Sequence, residues 1–306
     1  MSKRCVITGS EGFVGQYVTK KFLDEGYVVL GIDNLSKYGK RRVLEHKRYV
    51  PRYEDAEGMI ARSHITQFKP DVVIDLAEDV GGITYLNNNA VSKLVSSTQI
   101  RANILNAISK STRYVCISSS AVYERINTFP TPEIDNIDLP TPLSPYALTK
   151  INAEHISCLS GGNVCIARLF NVAGKGDDHP DKAHVIADLV KKFKNCNGSP
   201  VSLVGTGQQI RNFTHGEDVA DALYLIGTAS IPGQIYNVGS HNTIRIWDLA
   251  VEIARRVGIN SGLQPTTNPI YNIHRSEPCL RKLCALGYEA KWGMGRILDE
   301  AVEYYV

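Results

Sequence analysis

Short apolar runs alternate with amphipathic stretches along the first half of the chain. The runs are rich in β-branched residues, and they span residues 3–8, 27–32, 71–77, 113–118 and 164–170. Their nearly continuous apolar character is typical of strands covered on both faces of a sheet. The stretches 13–26 and 93–111 are amphipathic and predict helices between them. Strands alternating with helices indicate βαβ units and a parallel, right-handed sheet.

Beyond about residue 172 the pattern becomes less regular and is interrupted by Gly and Pro. Helical patterns return at 183–195, 217–227 and 246–257, and a short strand is predicted at 234–239. The overall expectation is an α/β fold: a Rossmann-like doubly wound parallel sheet in residues 1–171 and a smaller C-terminal α/β substrate lobe in residues 172–306. Some segments of this lobe are expected to return to the first domain. Ligands of doubly wound sheets bind at the carboxyl ends of the strands, where the lobe would lie.

Composition narrows the class of protein without identifying it. The 306 residues carry a net charge of +3 and include no long basic run, so a nucleic-acid partner is not indicated. No apolar run approaches the roughly 18 residues that span a bilayer, and the N-terminal apolar run is too short for a signal peptide. The seven cysteines lack CxxC spacing. We therefore expect a reduced, cytoplasmic protein with no membrane partner and no metal site.

A glycine pattern marks the junction of the first strand and first helix. Gly9, Gly12 and Gly15 stand in VITGSEGFVG. Glycines at this spacing allow a tight turn, close approach to a pyrophosphate and close packing of the helix, whose N-terminal N–H groups attract phosphate. A Gly-rich turn without a ligand is the alternative. The pattern favours a dinucleotide site.

An acidic residue at the end of the second strand indicates which dinucleotide binds. The Asp33 carboxylate can accept both hydroxyl groups of an adenosine ribose and would repel a 2′-phosphate, which favours NAD over NADP. The basic residues nearby argue for NADP, but a loop charge run is usually a solvated surface; these residues are Lys37, Lys40, Arg41 and Arg42.

A tyrosine and a lysine lie four residues apart in SPYALTK. If a helix begins near Pro145, Tyr146 and Lys150 share one face of it. A free phenol, with a pKa of about 10, is a poor base at neutral pH, but a nearby ammonium and a cationic nicotinamide favour the phenolate. Tyr146 is therefore a candidate base for a sugar or alcohol hydroxyl.

These motifs together resemble a known family. The glycine pattern, Asp33, the serines and VY of ISSSAVYE, YxxxK, RLFNVAG at 168–174 and the segment 205–223 are similar to extended short-chain dehydrogenases/reductases that act on nucleotide sugars. The resemblance covers nearly the whole chain. It implies a Rossmann fold with bound NAD, a nucleotide-sugar substrate in a cleft under the C-terminal lobe, and a homodimer.

The resemblance also assigns roles to individual positions. It implies Ser119, Tyr146 and Lys150 as the catalytic residues, with Tyr146 and Lys150 also contacting NAD. Substrate contacts are expected from Ser120, Asn171, His184 and Arg211, the last through diphosphate oxygens; Arg275 is either a second phosphate ligand or a surface arginine. Further NAD contacts are expected from Phe13, Val14, Asn34, Asp55, Leu76, Ala77, Ser118 and Phe170.

The residues beside Ser119 discriminate among the family's reactions. Relatives that dehydrate carry an Asp and a Glu after the hydroxyl residue, and sugar-acid decarboxylases keep the Glu; Ser120 and Ala121 stand there instead. The GDP-fucose synthase group resembles the chain at 80–83 and 179–193, but it has a cysteine where this chain has Ala121. Oxidation and reduction at C4 remain, which predicts a nucleotide-sugar 4-epimerase, with UDP-hexose as the expected substrate. A 4-keto-6-deoxysugar epimerase/reductase is the alternative.

Several residues leave other interpretations open. His184 can protonate a carbon, orient a hydroxyl or simply precede a helix. Glu78, Asp79, Ser97 and Glu124 depart from the family's pattern, and we expect them to be tolerated loop changes, although an additional acid near the cleft can alter the chemistry. A silent dinucleotide sensor is a third possibility, but such proteins commonly lack the Tyr/Lys pair.

Overall fold

Seven parallel strands form the main sheet in the computed structural model, which describes residues 2–43, 45–80, 89–135, 138–179, 183–267 and 273–306. The strands are β1 (Arg4–Thr8), β2 (Val28–Ile32), β3 (Tyr49–Arg52), β4 (Val72–Asp75), β5 (Arg113–Ser119), β6 (Asn163–Leu169) and β10 (Ile235–Val238). Their order is β3-β2-β1-β4-β5-β6-β10. The chain adds β2 and β3 on one side of β1 and then returns to add β4 on the other side. This change leaves a crevice at the carboxyl ends of β1 and β4. The predicted doubly wound fold is confirmed.

Helices cover both faces of this sheet. Side chains alternate along each strand, so that in β1 Cys5 and Ile7 pack with α1 (Phe13–Asp24) and α6 (Gly216–Ala229). Val6 packs on the opposite face, which is covered by α2 (Met59–Phe68), α3 (Ala90–Leu105) and α4 (Pro145–Leu159). Burial on both faces explains the continuous apolar character of the strands.

A second layer lies at the carboxyl ends of the strands. It contains the three-stranded sheet β11-β9-β7 and the pair β12-β8. Its strands are β7 (Asn171–Ala173), β8 (Val201–Leu203), β9 (Ile210–His215), β11 (Thr243–Arg245) and β12 (Leu263–Pro265). Its helices are α5 (Val185–Asn195), α7 (Ile246–Val257) and α9 (Met294–Tyr305), whereas the short helix α8 (Arg281–Cys284) packs against β10 of the main sheet. A separate apolar core, which includes Phe193, Leu249 and Leu298, holds α5, α7 and α9 together.

Two features of the main sheet depend on its strand order. β3 is short and carries Pro51, which removes a backbone donor; the edge position of β3 tolerates this loss. The strand predicted at 234–239 is confirmed as β10, and it pairs with β6 in the main sheet. α6 likewise packs against α1. Among the described helices, none combines the length and apolar character needed to cross a membrane.

Several hydrogen bonds fix the start of helix α4. Ser144 is its N-cap, with the hydroxyl oxygen accepting a hydrogen bond from the Ala147 N–H at 3.1 Å, and Pro145 takes the first helical position. The Glu124 carboxylate accepts the N–H of Leu143, and that of Ser144 at 2.8 Å. Glu124 follows the 3₁₀ turn after β5 (residues 120–123). It therefore ties the end of β5 to the start of α4, a role that the expectation of a tolerated loop change at Glu124 did not include.

We predict that Glu124→Ala lowers the free energy of unfolding by about 1–2 kcal/mol, because two backbone N–H groups lose a charged acceptor. Glu124→Gln retains one oxygen and should cost less. Chemical denaturation of each variant measures the change. Glu303→Ala, at an exposed glutamate of α9, is the matched control. A Glu124→Ala variant as stable as this control would contradict the anchoring role.

Candidate active site

A cleft of about 280 Å³ opens at the carboxyl ends of the central strands. Its lining includes most of the residues predicted for the site. These are Gly9, Gly12, Phe13, Val14, Gly15, Leu76, Ser118, Ser119, Ser120, Tyr146, Lys150, Phe170, Asn171 and His184. Lys37, Glu78 and Val80 also line it. The remaining predicted residues lie beyond this lining: Asp33, Asn34, Asp55, Ala77, Arg211 and Arg275.

The glycine loop fits a dinucleotide phosphate. Gly9 has a φ of +67°, which glycine adopts without strain. A Cβ on Gly15 would stand 1.9 Å from the Gly9 oxygen, so only glycine allows α1 to pack this closely. Gly12 is the N-cap of α1, and among the described residues no side chain caps the first N–H groups. Those groups, at Phe13 and Val14, would hold the pyrophosphate of a bound dinucleotide.

Asp33 lies beside the glycine loop at the end of β2. Its carboxylate accepts the N–H of Glu11 at 3.0 Å and that of Leu35 at 2.7 Å. Burial raises the pKa of Asp33, and these two hydrogen bonds oppose the rise. The neighbouring Asn34 donates to Asp55 at 3.2 Å. Asp33 is therefore held at the edge of the loop, where the predicted ribose contact would form.

The basic loop is organised by Glu11, which sequence reasoning missed. The buried Glu11 carboxylate accepts the N–H groups of Arg42 at 2.5 Å and Val43 at 2.7 Å. Arg42 also pairs with Asp178 at 2.9 Å, and its side chain is 6% exposed. Lys37 lines the cleft and donates to the Val80 carbonyl at 3.1 Å. The expectation of a solvated charge run is wrong for Arg42 and Lys37, because the Arg42 side chain is buried against Asp178 and the Lys37 side chain lines the cleft.

Tyr146 and Lys150 lie on the face of α4 that meets β5. The Lys150 Nζ is 5.7 Å from the centre of the Tyr146 ring and donates to the Ile117 carbonyl at 3.1 Å. Burial raises the pKa of the Tyr146 phenol; the Lys150 charge and a hydrogen bond with Ser119 act in the opposite direction. Ser119, Tyr146 and Lys150 are thus brought together as expected.

Glu78 contacts Lys150 inside the cleft. Its carboxylate accepts from the Lys150 ammonium, and from Arg101 at 3.2 Å, while its side chain is 8% exposed. Burial alone would raise the pKa of Glu78, but the two cations outweigh burial and hold that pKa below its ordinary value. The expectation of a tolerated loop change at Glu78 did not include these two contacts. A Glu shortly after the buried strand β4 was the available signal.

The three serines after β5 have different partners. Ser118 donates at 2.5 Å to Glu154, whose carboxylate forms a fully buried pair with Arg168 at 2.7 Å. The Ser118 hydroxyl thus fastens α4 to the sheet, and its predicted NAD contact stays a prediction. The Ser119 oxygen accepts the Ala121 N–H at 3.2 Å. Ser120 begins the following turn and lines the cleft.

His184 lines the cleft at the N-cap of α5. Its Nδ1 is 3.0 Å from the Asp177 carboxylate, which also accepts the His184 N–H at 2.6 Å. Burial would raise the pKa of Asp177, but His184 and Lys37 together outweigh burial and lower that pKa. The segments resembling the GDP-fucose synthase group fall partly on residues 81–83 and 180–182, which lie outside the described residues.

The two predicted phosphate ligands lie on neighbouring segments. Ile210 and Arg275 form a parallel bridge, which brings Arg211 of β9 near residue 275. Burial lowers the pKa of Arg211 to about 10. Arg275 pairs with Glu277 at 2.5 Å and lies over the Phe129 ring. The phosphate roles of Arg211 and Arg275 stay predictions.

Comparison with known proteins identifies the family. The sequence profile of the NAD dependent epimerase/dehydratase family matches residues 5–239. The chain is 26% identical to a putative GDP-L-fucose synthase 2 of Arabidopsis thaliana, over 100% of this chain and 92% of the relative. It is 25% identical to a UDP-glucose 4-epimerase of Mycolicibacterium smegmatis, over 99% of this chain and 98% of the relative.

A solved structure shows the same fold. The UDP-glucose 4-epimerase of Thermus thermophilus, solved in complex with NAD, superposes with a TM-score of 0.85, at 24% identity and over 99% of this chain and 98% of that one. The family match confirms NAD as the expected cofactor. The chain belongs to the NAD dependent epimerase/dehydratase family.

Proposed function

We propose that this protein is a nucleotide-sugar 4-epimerase, with a UDP-hexose as its substrate. The observation that carries the proposal is the cluster of Ser119, Tyr146 and Lys150 beside the glycine loop. Ser120 and Ala121 follow Ser119, so this turn supplies no acid for dehydration. The similarity to proteins named UDP-glucose 4-epimerase favours a UDP-hexose over other nucleotide sugars.

In this proposal, Tyr146 takes the proton of the sugar 4-hydroxyl and later returns it. NAD, when bound, supplies the hydride acceptor and donor for C4. Lys150 stabilises the phenolate, and the Ser119 hydroxyl can donate to or accept from the reacting oxygen. The 4-keto sugar must turn over in the cleft before it is reduced on its opposite face.

The charges around Glu78 support epimerisation over dehydration. Dehydration needs a protonated acid near the sugar. Glu78 is held between Lys150 and Arg101, which lowers its pKa and keeps it ionised at neutral pH. An ionised carboxylate accepts hydrogen bonds and cannot donate a proton. Glu78 is therefore unsuited to the role of the missing acid.

We predict that the purified protein, with no added cofactor, converts a UDP-hexose into its C4 epimer, as measured by nuclear magnetic resonance of the sugar. Tyr146→Phe should reduce kcat by roughly 10²–10⁴-fold, because the proton acceptor is removed. Tyr304→Phe, at an exposed tyrosine of α9, is the matched control. Inertness of the wild type toward UDP- and GDP-hexoses would reject the proposal.

A second candidate function is supported by His184. Its contact with Asp177 fixes the imidazole beside the cleft, an arrangement suited to protonating a sugar carbon. A 4-keto-6-deoxysugar epimerase/reductase would use such a group. We expect no stoichiometric consumption of NADPH or NADH with a 4-keto-6-deoxysugar nucleotide. Absorbance of the reduced cofactor measures this, and stoichiometric consumption would favour the second candidate.

We also propose a homodimer formed through α3 and α4. The two helices pack side by side, and they expose Val91, Val95, Leu148 and Leu159. Apolar side chains exposed on adjacent helices fit self-association. Sedimentation equilibrium should give about twice the chain mass, and Val95→Glu should shift the protein to the monomer. A monomeric wild type at micromolar concentration would contradict the dimer.

A further inference from the structure

Glu78 connects the site to a row of buried charges. The row runs from Asp75 at the end of β4, through Arg101 of α3 and Glu78, to Lys150 of α4. Arg101 Nε is 3.3 Å from the Asp75 carboxylate, and its terminal nitrogen is 3.2 Å from Glu78. Asp75 and Arg101 are fully buried. Positive and negative groups alternate along the row, so that their formal charges sum to zero.

Asp75 and Arg101 are also held by neutral partners. Asp75 accepts from the Thr8 hydroxyl at 2.7 Å and from the Tyr114 hydroxyl at 2.5 Å. Arg101 also donates to the carbonyl oxygens of Ala77 and Ser97, each at 3.3 Å. The carboxylates and the guanidinium therefore have several hydrogen-bond partners, which is what buried ion pairs need.

The ammonium of Lys150 is held in one place by this arrangement. An ammonium has three N–H donors. One donates to the Ile117 carbonyl at 3.1 Å and one to Glu78. The third remains for the cleft, which Lys150 lines. With two donors committed to fixed acceptors, the side chain has little freedom to turn away from Tyr146.

We infer that Glu78 is a positioning residue of this site, a buried carboxylate that fixes the Lys150 ammonium against Ile117 and offsets its charge where the Tyr146 phenol meets substrate. The row also costs free energy of desolvation, because burying ion pairs often yields no net stability. A functional gain would explain why it is present. The inference deepens the proposed function and rests on it for the role of Tyr146 as the base.

By offsetting the charge of Lys150, Glu78 changes the pKa of the Tyr146 phenol. Glu78 raises the pKa of the phenol, in opposition to Lys150. Burial would lower the pKa of Lys150, but Glu78 and Tyr146 together outweigh burial and leave that pKa raised. Lys150 thus stays charged while its influence on Tyr146 is moderated. Glu78 would therefore set the pH at which Tyr146 becomes a base.

Other groups around the row leave this direction unchanged. Burial raises the pKa of Cys116 to about 12 and that of Tyr114 further, so both remain neutral near pH 7. The variants used below leave the other charged or titratable side chains of the cleft unchanged. Among the residues that the structure describes, they are Lys37 and His184, the latter paired with Asp177.

The test measures the Tyr146 proton without substrate. Protein with its NAD bound is labelled at tyrosine Cζ, Tyr146→Phe identifies the resonance, and its pKa is followed by nuclear magnetic resonance. Glu78→Gln should lower the Tyr146 pKa by roughly one pH unit, because a negative charge is removed from its surroundings. Glu78→Asp, whose carboxylate lies one methylene farther back, should give a smaller shift in the same direction. Asp79→Asn, at the next residue and paired with Lys93, should give none.

An unchanged or raised Tyr146 pKa in folded Glu78→Gln would overturn the inference. If Glu78→Gln does not fold, as judged by circular dichroism, Glu78→Asp decides, and a wild-type pKa in that variant overturns the inference. The pH profile of kcat/KM gives an independent measurement, since its acid limb should move to lower pH by the same amount. A shifted Tyr146 pKa in a protein that fails to epimerise UDP-hexose would reject the proposed function and leave the role of Glu78 standing.

Discussion

The contact between α4 and the end of β5 is the constraint on which the site depends. Tyr146 and Lys150 can act together with Ser119 only if this helix meets this strand in one register. Three separate features secure it: the Lys150 bond to Ile117, the Ser118 bond to Glu154, and the Glu124 acceptor at the helix start. The three bonds reach α4 at different positions along its length. Together they fix both the position of the helix and its rotation.

Charge balance is the second constraint, and it follows from the first. Packing α4 against β5 buries the Lys150 ammonium, and an unpaired buried ammonium would lose its proton. Glu78 supplies the counter-charge, and Arg101 with Asp75 balances Glu78 in turn. Lys150 thus stays protonated beside Tyr146, although its ammonium is buried. A catalytic phenol is useful only while that cation is retained.

The sequence predicted the parts of this protein that local patterns encode. Buried strands and the glycine loop have strong signals, so the main sheet and the start of α1 could be predicted. The short edge strand β3 and the attachment of β10 to the main sheet depend on long-range pairing, which no local pattern records. Glu78 and Glu124 looked like loop changes because their partners are distant in the chain; Glu78 contacts Lys150, and Glu124 contacts Ser144.

In the proposed reaction, C4 of the sugar is oxidised and then reduced with the same cofactor, which is not released. The most direct measurement uses a UDP-hexose with deuterium at C4 and the purified protein with no added cofactor. We expect a C4 epimer that retains the deuterium at C4, with no label lost to water. Loss of the label to solvent, or a product inverted at C3 or C5, would contradict it.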